Sequence, residues 1–446
     1  MKNFIVANRK HIIYIFLIFV VGSIISIPLL NNKLNVLKDD GIQHIIRINE
    51  ITECLKNFES TKISNNLCNG FGYSWDIFYG NFTSIIPGII NIFVGSGINT
   101  FKLFLYILLI LSGISMYIST YKMFNKHELS IIASVIYMCA PYHLNDMYIR
   151  YAVAEFASFI FIPLVFSGLY CILNNNNNDS DNKNRDRKNL INNKEGYEQK
   201  ENSNTGICML ILGSSGLIIT HLISTTITAI FAFIYLIFNF RKLKDIKILK
   251  KILLSILLIL MVTSYFWIPL LENSINTKYE VYEPNKMSSS ESVNYHRVEL
   301  KDLISNKDNF QIHELGIVTI ALVLLTIYSI WKMDREKRKI VLIFLGFGII
   351  SILLTTKLIN WEYVPKIFLF IQFPWRMLEF SSYFLSVVAS VSFCSTIKNV
   401  KIIDVLYVLL ITVLLTGIFK DRIDYNDEKV EEPKIRNSTW KQYFRN

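Results

Sequence analysis

Residues 11–30 read HIIYIFLIFVVGSIISIPLL, a run without a carboxylate, lysine or arginine. As a helix it is long enough to cross a hydrocarbon core of roughly 30 Å. Similar runs recur to the end of the chain, whereas the alternating ten-residue segments of a transmembrane barrel are absent. The sequence therefore predicts an all-α polytopic membrane protein. The composition agrees, with 52% hydrophobic residues and a mean hydropathy of +0.36. The first run is too long for the apolar core of a signal peptide and no small-x-small site follows it, so it is read as a retained helix.

About eleven spans are expected, at 11–30, 101–121, 128–141, 152–173, 206–221, 222–240, 252–271, 314–332, 339–356, 376–396 and 402–419. Together they make one membrane domain, 1–419. Residues 77–98 (IFYGNFTSIIPGIINIFVGSGI) are apolar but short and broken by Pro87 and glycines, which predicts a re-entrant or interfacial segment. The net charge of +11 sits mostly between the spans, where it sets orientation. With 77–98 not crossing, MKNFIVANRK, YKMFNKH, 174–205, RKLKDIKILKK, KMDREKRK and IKNVK all fall on one side. By the positive-inside rule that side is cytoplasmic. The N-terminus is then inside, and 31–82, 272–313 and the tail 420–446 are outside. The polar, low-complexity stretch 174–205 is expected to be a disordered cytoplasmic loop. No basic stripe interleaved with aromatics suggests nucleic acid, and the six cysteines form no CxxC pair.

This topology gathers the polar residues near span ends on the outer face. VLKDDGIQHIIR at 36–47 supplies Asp39, Asp40, His44 and Arg47, and Trp75 and Asp76 follow. PYHLNDMYIRYAVAE supplies His143, Asp146, Arg150 and Glu155. His221 lies in THLIST, Glu272 ends a span, and FQFPWRMLEF supplies Trp375, Arg376 and Glu379. Ionisable groups at membrane depth are costly, which makes them functional candidates. Each also has a plainer reading. Asp146 and Arg150 are spaced to pair along one helix, as are Arg376 and Glu379. Arg376 can snorkel, and Trp75, Trp361 and Trp375 can be interfacial aromatics. His221 can bridge two helices. Asp39 or Asp40 can cap GIQHIIRINEITECLKN, an amphipathic stretch with Ile42, Ile45, Ile46, Ile48 and Leu55 mainly to one side, expected to lie along the membrane surface.

The ordered set DDGIQHIIRINEI, GFGYSWDIFYGNFTSIIPGI, APYHLNDMYIRYAVAEFASFIFIPLVF, ITHLIST and QFPWRMLEF resembles YfhO-like bacterial integral membrane proteins. These have a glycosyltransferase-C-like fold, and some carry the label 6-pyruvoyl-tetrahydropterin synthase-related. The motifs run from about 37 to 396. Asp39, Asp40 and His44 match the family's acidic residues after the first span, and Arg150 and Glu155 match its arginine-to-Ala-Glu helix start. The loop departs: Tyr79-Gly80-Asn81 stands where Tyr-Pro-Pro is usual. Nothing here supports the soluble zinc enzyme that the pterin label implies.

The resemblance implies sugar transfer from a polyprenyl-phosphate lipid to a saccharide or envelope-polymer acceptor at the outer face of the bacterial cell membrane. Asp39 or Asp40 would be the base. Arg150, Arg376, His143 and His221 would bind the donor phosphate. His44, Asp76, Asp146, Glu155 and Glu379 would support them. The one-turn spacing of Asp40 and His44 would also allow a shared divalent metal. Two other classes stay open: a lipid-linked-sugar flippase or transporter, which would favour midplane charges and inverted repeats, and a non-catalytic scaffold in envelope assembly.

Overall fold

The computed structural model of the chain describes residues 9–63, 72–174, 193–276, 289–304, 313–397, 399–416 and 423–431, with backbone alone at 193–203 and 414–416. Its main helices are α1 (Arg9–Ile25), α2 (Gly41–Lys56), α3 (Phe82–Val94), α4 (Gly97–Phe124), α5 (His127–Met138), α6 (Pro141–Tyr148), α7 (Val153–Asn174) and α8 (Asn193–Ile218). There follow α9 (Leu222–Phe238), α10 (Ile246–Val262), α11 (Ser264–Asn276), α12 (Ile317–Leu324), α13 (Arg335–Thr355), α14 (Met377–Thr396) and α15 (Ile402–Thr416). Among the described residues there is no strand, only isolated bridges at Leu34–Tyr425 and Val298–Thr356.

The helices begin where the sequence supplies caps. Ser96 accepts from the Asn99 amide at the start of α4, Asp245 from Lys247 before α10, and Asp334 from Lys337 before α13. Each satisfies an amide that the first turn leaves without a partner.

Among the described residues four helices are long and apolar enough to cross a membrane: Gly97–Phe124, Val153–Asn174, Arg335–Thr355 and Pro374–Thr396. The α10–α11 pair, bent by 70°, makes a fifth if counted as one span. Each of the other expected spans coincides with a shorter helix. Phe16 and Phe19 on α1, Leu253, Leu257 and Met261 on α10, and Ile403, Tyr407 and Leu410 on α15 all face outward. So much exposed hydrocarbon suits lipid and not water.

The centre of the bundle is α7, packed on α4, α8 and α14. Gly168 lets α7 and α8 touch backbone to backbone, since a Cβ there would stand 2.6 Å from the Leu210 nitrogen. Small residues at such contacts are the usual means of close helix approach in a membrane. A block of rings, Phe166, Phe231, Phe344, Phe347, Tyr383 and Phe384, fills the space between α7, α9, α13 and α14.

Two regions differ from the sequence reading. α2 does not lie open on a surface: His44, Ile45, Arg47, Ile48, Ile51 and Thr52 are all buried as α2 packs on α3 and α4. A polar ladder makes this burial tolerable. Asn91 Nδ2 donates to Thr52 Oγ1 at 3.0 Å, Thr52 donates to the Gly88 carbonyl at 3.2 Å, and Thr100 donates to Asn91 Oδ1 at 2.8 Å. Secondly, α8 starts at Asn193, inside the stretch expected to be disordered; residues 175–192 lie outside the described residues.

The broken apolar segment 77–98 becomes the turn Trp75–Phe78 and the 13-residue α3, which ends at Gly95 in the left-handed region. The segment 423–431 straps the first loop. Asn35 donates to the Asp424 carbonyl at 3.0 Å, and Asn426 and Val430 donate to the Lys33 and Asn32 carbonyls at 2.7 and 3.0 Å.

Candidate functional site

At one end of the bundle the loop after α1, the turn before α3, the α6–α7 corner, the start of α9 and the start of α14 converge. Asp39 and Asp40 lie exposed in the turn before α2, where Asp39 is left-handed at φ 44°. Neither acts as the expected cap: Asp40 occupies the cap position with a helical backbone and no side-chain cap bond. Instead the Asp40 amide donates to the Arg150 carbonyl at 3.3 Å. Tyr151, the next residue, is also left-handed, at φ 52°. Backbone strain of this kind gathers at sites the surrounding structure over-determines.

Arg150 is buried at the corner, and its Nη1 donates to Asp146 Oδ1 at 2.8 Å, Tyr142 hydroxyl at 2.9 Å and Glu155 Oε2 at 3.2 Å. Tyr142 donates to the other oxygen of Glu155. The expected Asp146–Arg150 pair is therefore present, but as part of a larger network. Arg376 departs from the expected pairing. Its Nε stands 3.5 Å from Glu155 Oε2, and its Nη1 donates to the Ile371 carbonyl at 3.0 Å and Gln372 Oε1 at 2.9 Å. Glu155 is thus shared by two arginines and joins the starts of two spanning helices.

The cause of this re-pairing is local. Gln372 sits at φ 61°, ψ −52°, and the Phe373 amide donates back to the Ile371 carbonyl at 2.6 Å. That is a γ-turn of the rare, strained kind, and it folds the segment back so that Ile371 and Gln372 face the guanidinium. Glu379, left by Arg376, accepts from Ser224 Oγ at 2.6 Å. Ser224 Oγ is in turn 2.8 Å from His221 Nδ1. His221 caps α9, and it is Ser224 that links α9 to α14 through Glu379.

Beside this cluster Arg47 Nη2 binds Asp76 Oδ1 at 3.1 Å, and Ser84 donates to the same oxygen at 3.0 Å. The Arg47 guanidinium lies 4.1 Å from the Trp75 ring centroid and 4.9 Å from that of Tyr79. Trp75 is accordingly a partner of Arg47. Trp361 is buried, and Trp375 stacks on Phe373 at 4.8 Å. Gly80 explains the departure from Tyr-Pro-Pro: a Cβ there would stand 2.3 Å from the Ile219 carbonyl oxygen, so the loop docks flush against the residues leading into His221.

Two candidates are not brought in. His143 is fully buried, stacked on Phe159 at 3.8 Å, with Nδ1 3.1 Å from the Tyr137 carbonyl. His44 is buried and lies parallel to Phe101 at 6.2 Å. It does not turn to Asp40, and among the described residues no three His, Cys, Asp or Glu side chains gather to hold a metal. The residues present do not fit the shared metal.

Burial acts in the same direction on the carboxyls Asp39, Asp40 and Asp76. The protein packed around Asp39 raises its carboxyl above the usual value, against the pull of Lys38 and Arg150. Partial burial likewise raises Asp40; Arg150 and Arg376 oppose the rise, and Asp39 and Glu155 add to it. Asp76 is raised by burial, with Arg47 and Ser84 opposing, while burial lowers Arg47 to about 10 despite Asp76. Burial lowers His44 to about 3, so it is neutral at ordinary pH.

The sequence reading missed Tyr142, Ser224 and Gln372. Tyr142 had a signal, because it shares the helical face of Asp146 at four-residue spacing. Gln372 had none, since its role depends on the turn.

No family model matches the sequence. A protein of Lactococcus lactis subsp. cremoris (strain MG1363), described only as an uncharacterized protein, is 24% identical over 307 residues, 67% of this chain and 46% of that protein. The chain thus matches less than half the length of that relative.

Proposed function

We propose that the protein is a membrane glycosyltransferase that moves a sugar from a polyprenyl-phosphate lipid to a saccharide or envelope-polymer acceptor. The observation carrying this reading is the junction of an exposed carboxylate, Asp40, with the Arg150–Glu155–Arg376 network at the ends of spanning helices. Such a junction offers a base facing water and a cation facing lipid within one site. In this reading the fold is glycosyltransferase-C-like with eleven crossings and α3 re-entrant. The N-terminus is cytoplasmic and the Asp39–Asp40 end faces out of the bacterial cell.

The chemistry follows from the groups. Asp40, assisted by Asp39, takes the proton of the acceptor hydroxyl as its oxygen bonds to the anomeric carbon. The bond from that carbon to the phosphate oxygen breaks, and the lipid phosphate leaves with the electron pair. Arg376, only partly buried and 3.5 Å from the Glu155 carboxylate, has charge to offer that phosphate. His221, hydrogen-bonded to Ser224, is the second donor to that phosphate in this reading. Arg150 is enclosed by Asp146, Tyr142 and Glu155 and acts as a positioning residue. His143 has no part, and no step runs through a metal.

The test is to give purified protein a panel of polyprenyl-phosphate sugars with saccharide acceptors and to follow release of lipid phosphate. Acceptor-dependent release with one donor supports the reading. Passage of intact lipid-linked sugar across a bilayer without release would place the protein among transporters instead.

A further inference from the structure

Where the end of α1 meets the start of α4, a groove of about 490 Å³ is lined in part by Ser26, Leu30, Asn32, Asn99, Lys102 and Leu103. It shares no residue with the Arg150–Arg376 cluster. At its floor Lys102 is only 7% exposed, yet among the described residues no carboxylate pairs with it. Among those residues it donates to the Asn31 carbonyl at 2.8 Å, and the ammonium carries two further protons. Ser26 is equally enclosed, at 6% exposure, and its hydroxyl has no hydrogen-bond partner among the described residues.

A buried ammonium without a counter-charge is costly, and such groups are found paired. Here the groove is the direction from which a partner can come. Its polar side carries Asn32, Asn99 and Ser26 beside the amino end of α4, where the helix dipole also favours an anion. Its other side carries Leu29, Leu30 and Leu103, of which Leu30 is 82% and Leu103 39% exposed. An occupant must therefore be anionic at one end and hydrocarbon at the other. Basic recesses between membrane helices hold lipid headgroups in this way.

We propose that this groove binds an anionic phospholipid, its phosphate on Lys102 and its acyl chain along Leu29, Leu30 and Leu103. The site is independent of the transferase reading and requires only that these helices stand in a bilayer.

Native mass spectrometry and thermal melting of the purified full chain, equilibrated with phosphatidylglycerol or phosphatidylcholine, test it. Wild-type protein should retain phosphatidylglycerol selectively and melt higher with it. Lys102→Gln should lose about tenfold or more in phosphatidylglycerol affinity, the scale of one charge-assisted bond, and Lys102→Arg should keep it. Asn99→Trp, which blocks the rim from an exposed position without touching the lysine, should lose the lipid with its melting in phosphatidylcholine unchanged. It decides the matter if Lys102→Gln does not fold. Equal retention of the two lipids, undiminished phosphatidylglycerol binding in Asn99→Trp, or the same stabilisation by inorganic phosphate alone would overturn the proposal.

Discussion

The backbone amide of Asp40 donates to the carbonyl oxygen of Arg150 at 3.3 Å, between two left-handed residues, Asp39 and Tyr151. This bond ties the exposed acidic turn to a buried charge network, so the position of the turn depends on the corner between α6 and α7. Arg150→Ala should therefore act first on folding. It leaves Asp146 and Glu155 buried without their shared cation, a change expected to cost about 3–5 kcal/mol. A large fall in melting temperature in detergent checks this, and an unchanged melt would contradict it.

Arg376 gives the opposite pattern. Because it pairs with Glu155 rather than Glu379, Glu379→Gln should leave donor binding near the wild-type level. Arg376→Ala should weaken it by about tenfold or more, as expected for a charge-assisted contact to phosphate. Binding of a polyprenyl-phosphate sugar to the two purified variants separates these outcomes. Equal losses in both would restore the Arg376–Glu379 pairing suggested by their spacing.

Arg47 and Asp76 form a pair whose side chains are 4% and 3% exposed. Arg47→Met should cost about 3–5 kcal/mol because Asp76 stays buried without its cation, whereas Arg47→Met with Asp76→Leu should recover much of the loss. Denaturant melts of the single and double variants decide it. Additive losses would mean the pair does not couple.

The pH dependence has a definite sign. The carboxyls of Asp39 and Asp40 are held above their usual values, so the folded state favours their protonated forms. Their contribution to stability is full at low pH and falls as pH rises through the raised values. As bases they act only when ionised, so activity must rise over that same window. Arg376 opposes the rise in Asp40. Arg376→Gln should accordingly move the acid limb of the transfer rate to higher pH, and Arg376→Lys should not. An acid limb in the same place for both variants would exclude Asp40 as the titrating group.

The all-helical, apolar character of the chain was legible because long uncharged runs have few other uses, and the expected spans 101–121, 152–173, 339–356 and 376–396 coincide with helices long enough to cross. Asp40, Arg150, Glu155 and Arg376 were legible because charge at the end of a span is costly unless something holds it. Partner choice was not. The spacing of Arg376 and Glu379 fits a helix, but Arg376 precedes α14 and the γ-turn at Gln372 turns it toward Glu155. The burial of α2 was hidden for a related reason. Its polar face looked destined for water, and only the pairing of Arg47 with Asp76 and of Thr52 with Asn91 allows it inside. His143 had the right chemistry and the wrong direction, since its ring packs on Phe159.

The central claim is that Asp40 is the base of a sugar transfer, and single-turnover release of lipid phosphate by matched, folded wild-type protein and Asp40→Asn tests it most directly. Asp40→Asn should melt no lower than wild type at neutral pH, because ionising this carboxyl is disfavoured in the folded state. It should lose transfer by at least about a hundredfold, the low end for removal of a general base. Release at the wild-type rate in this variant would contradict the account.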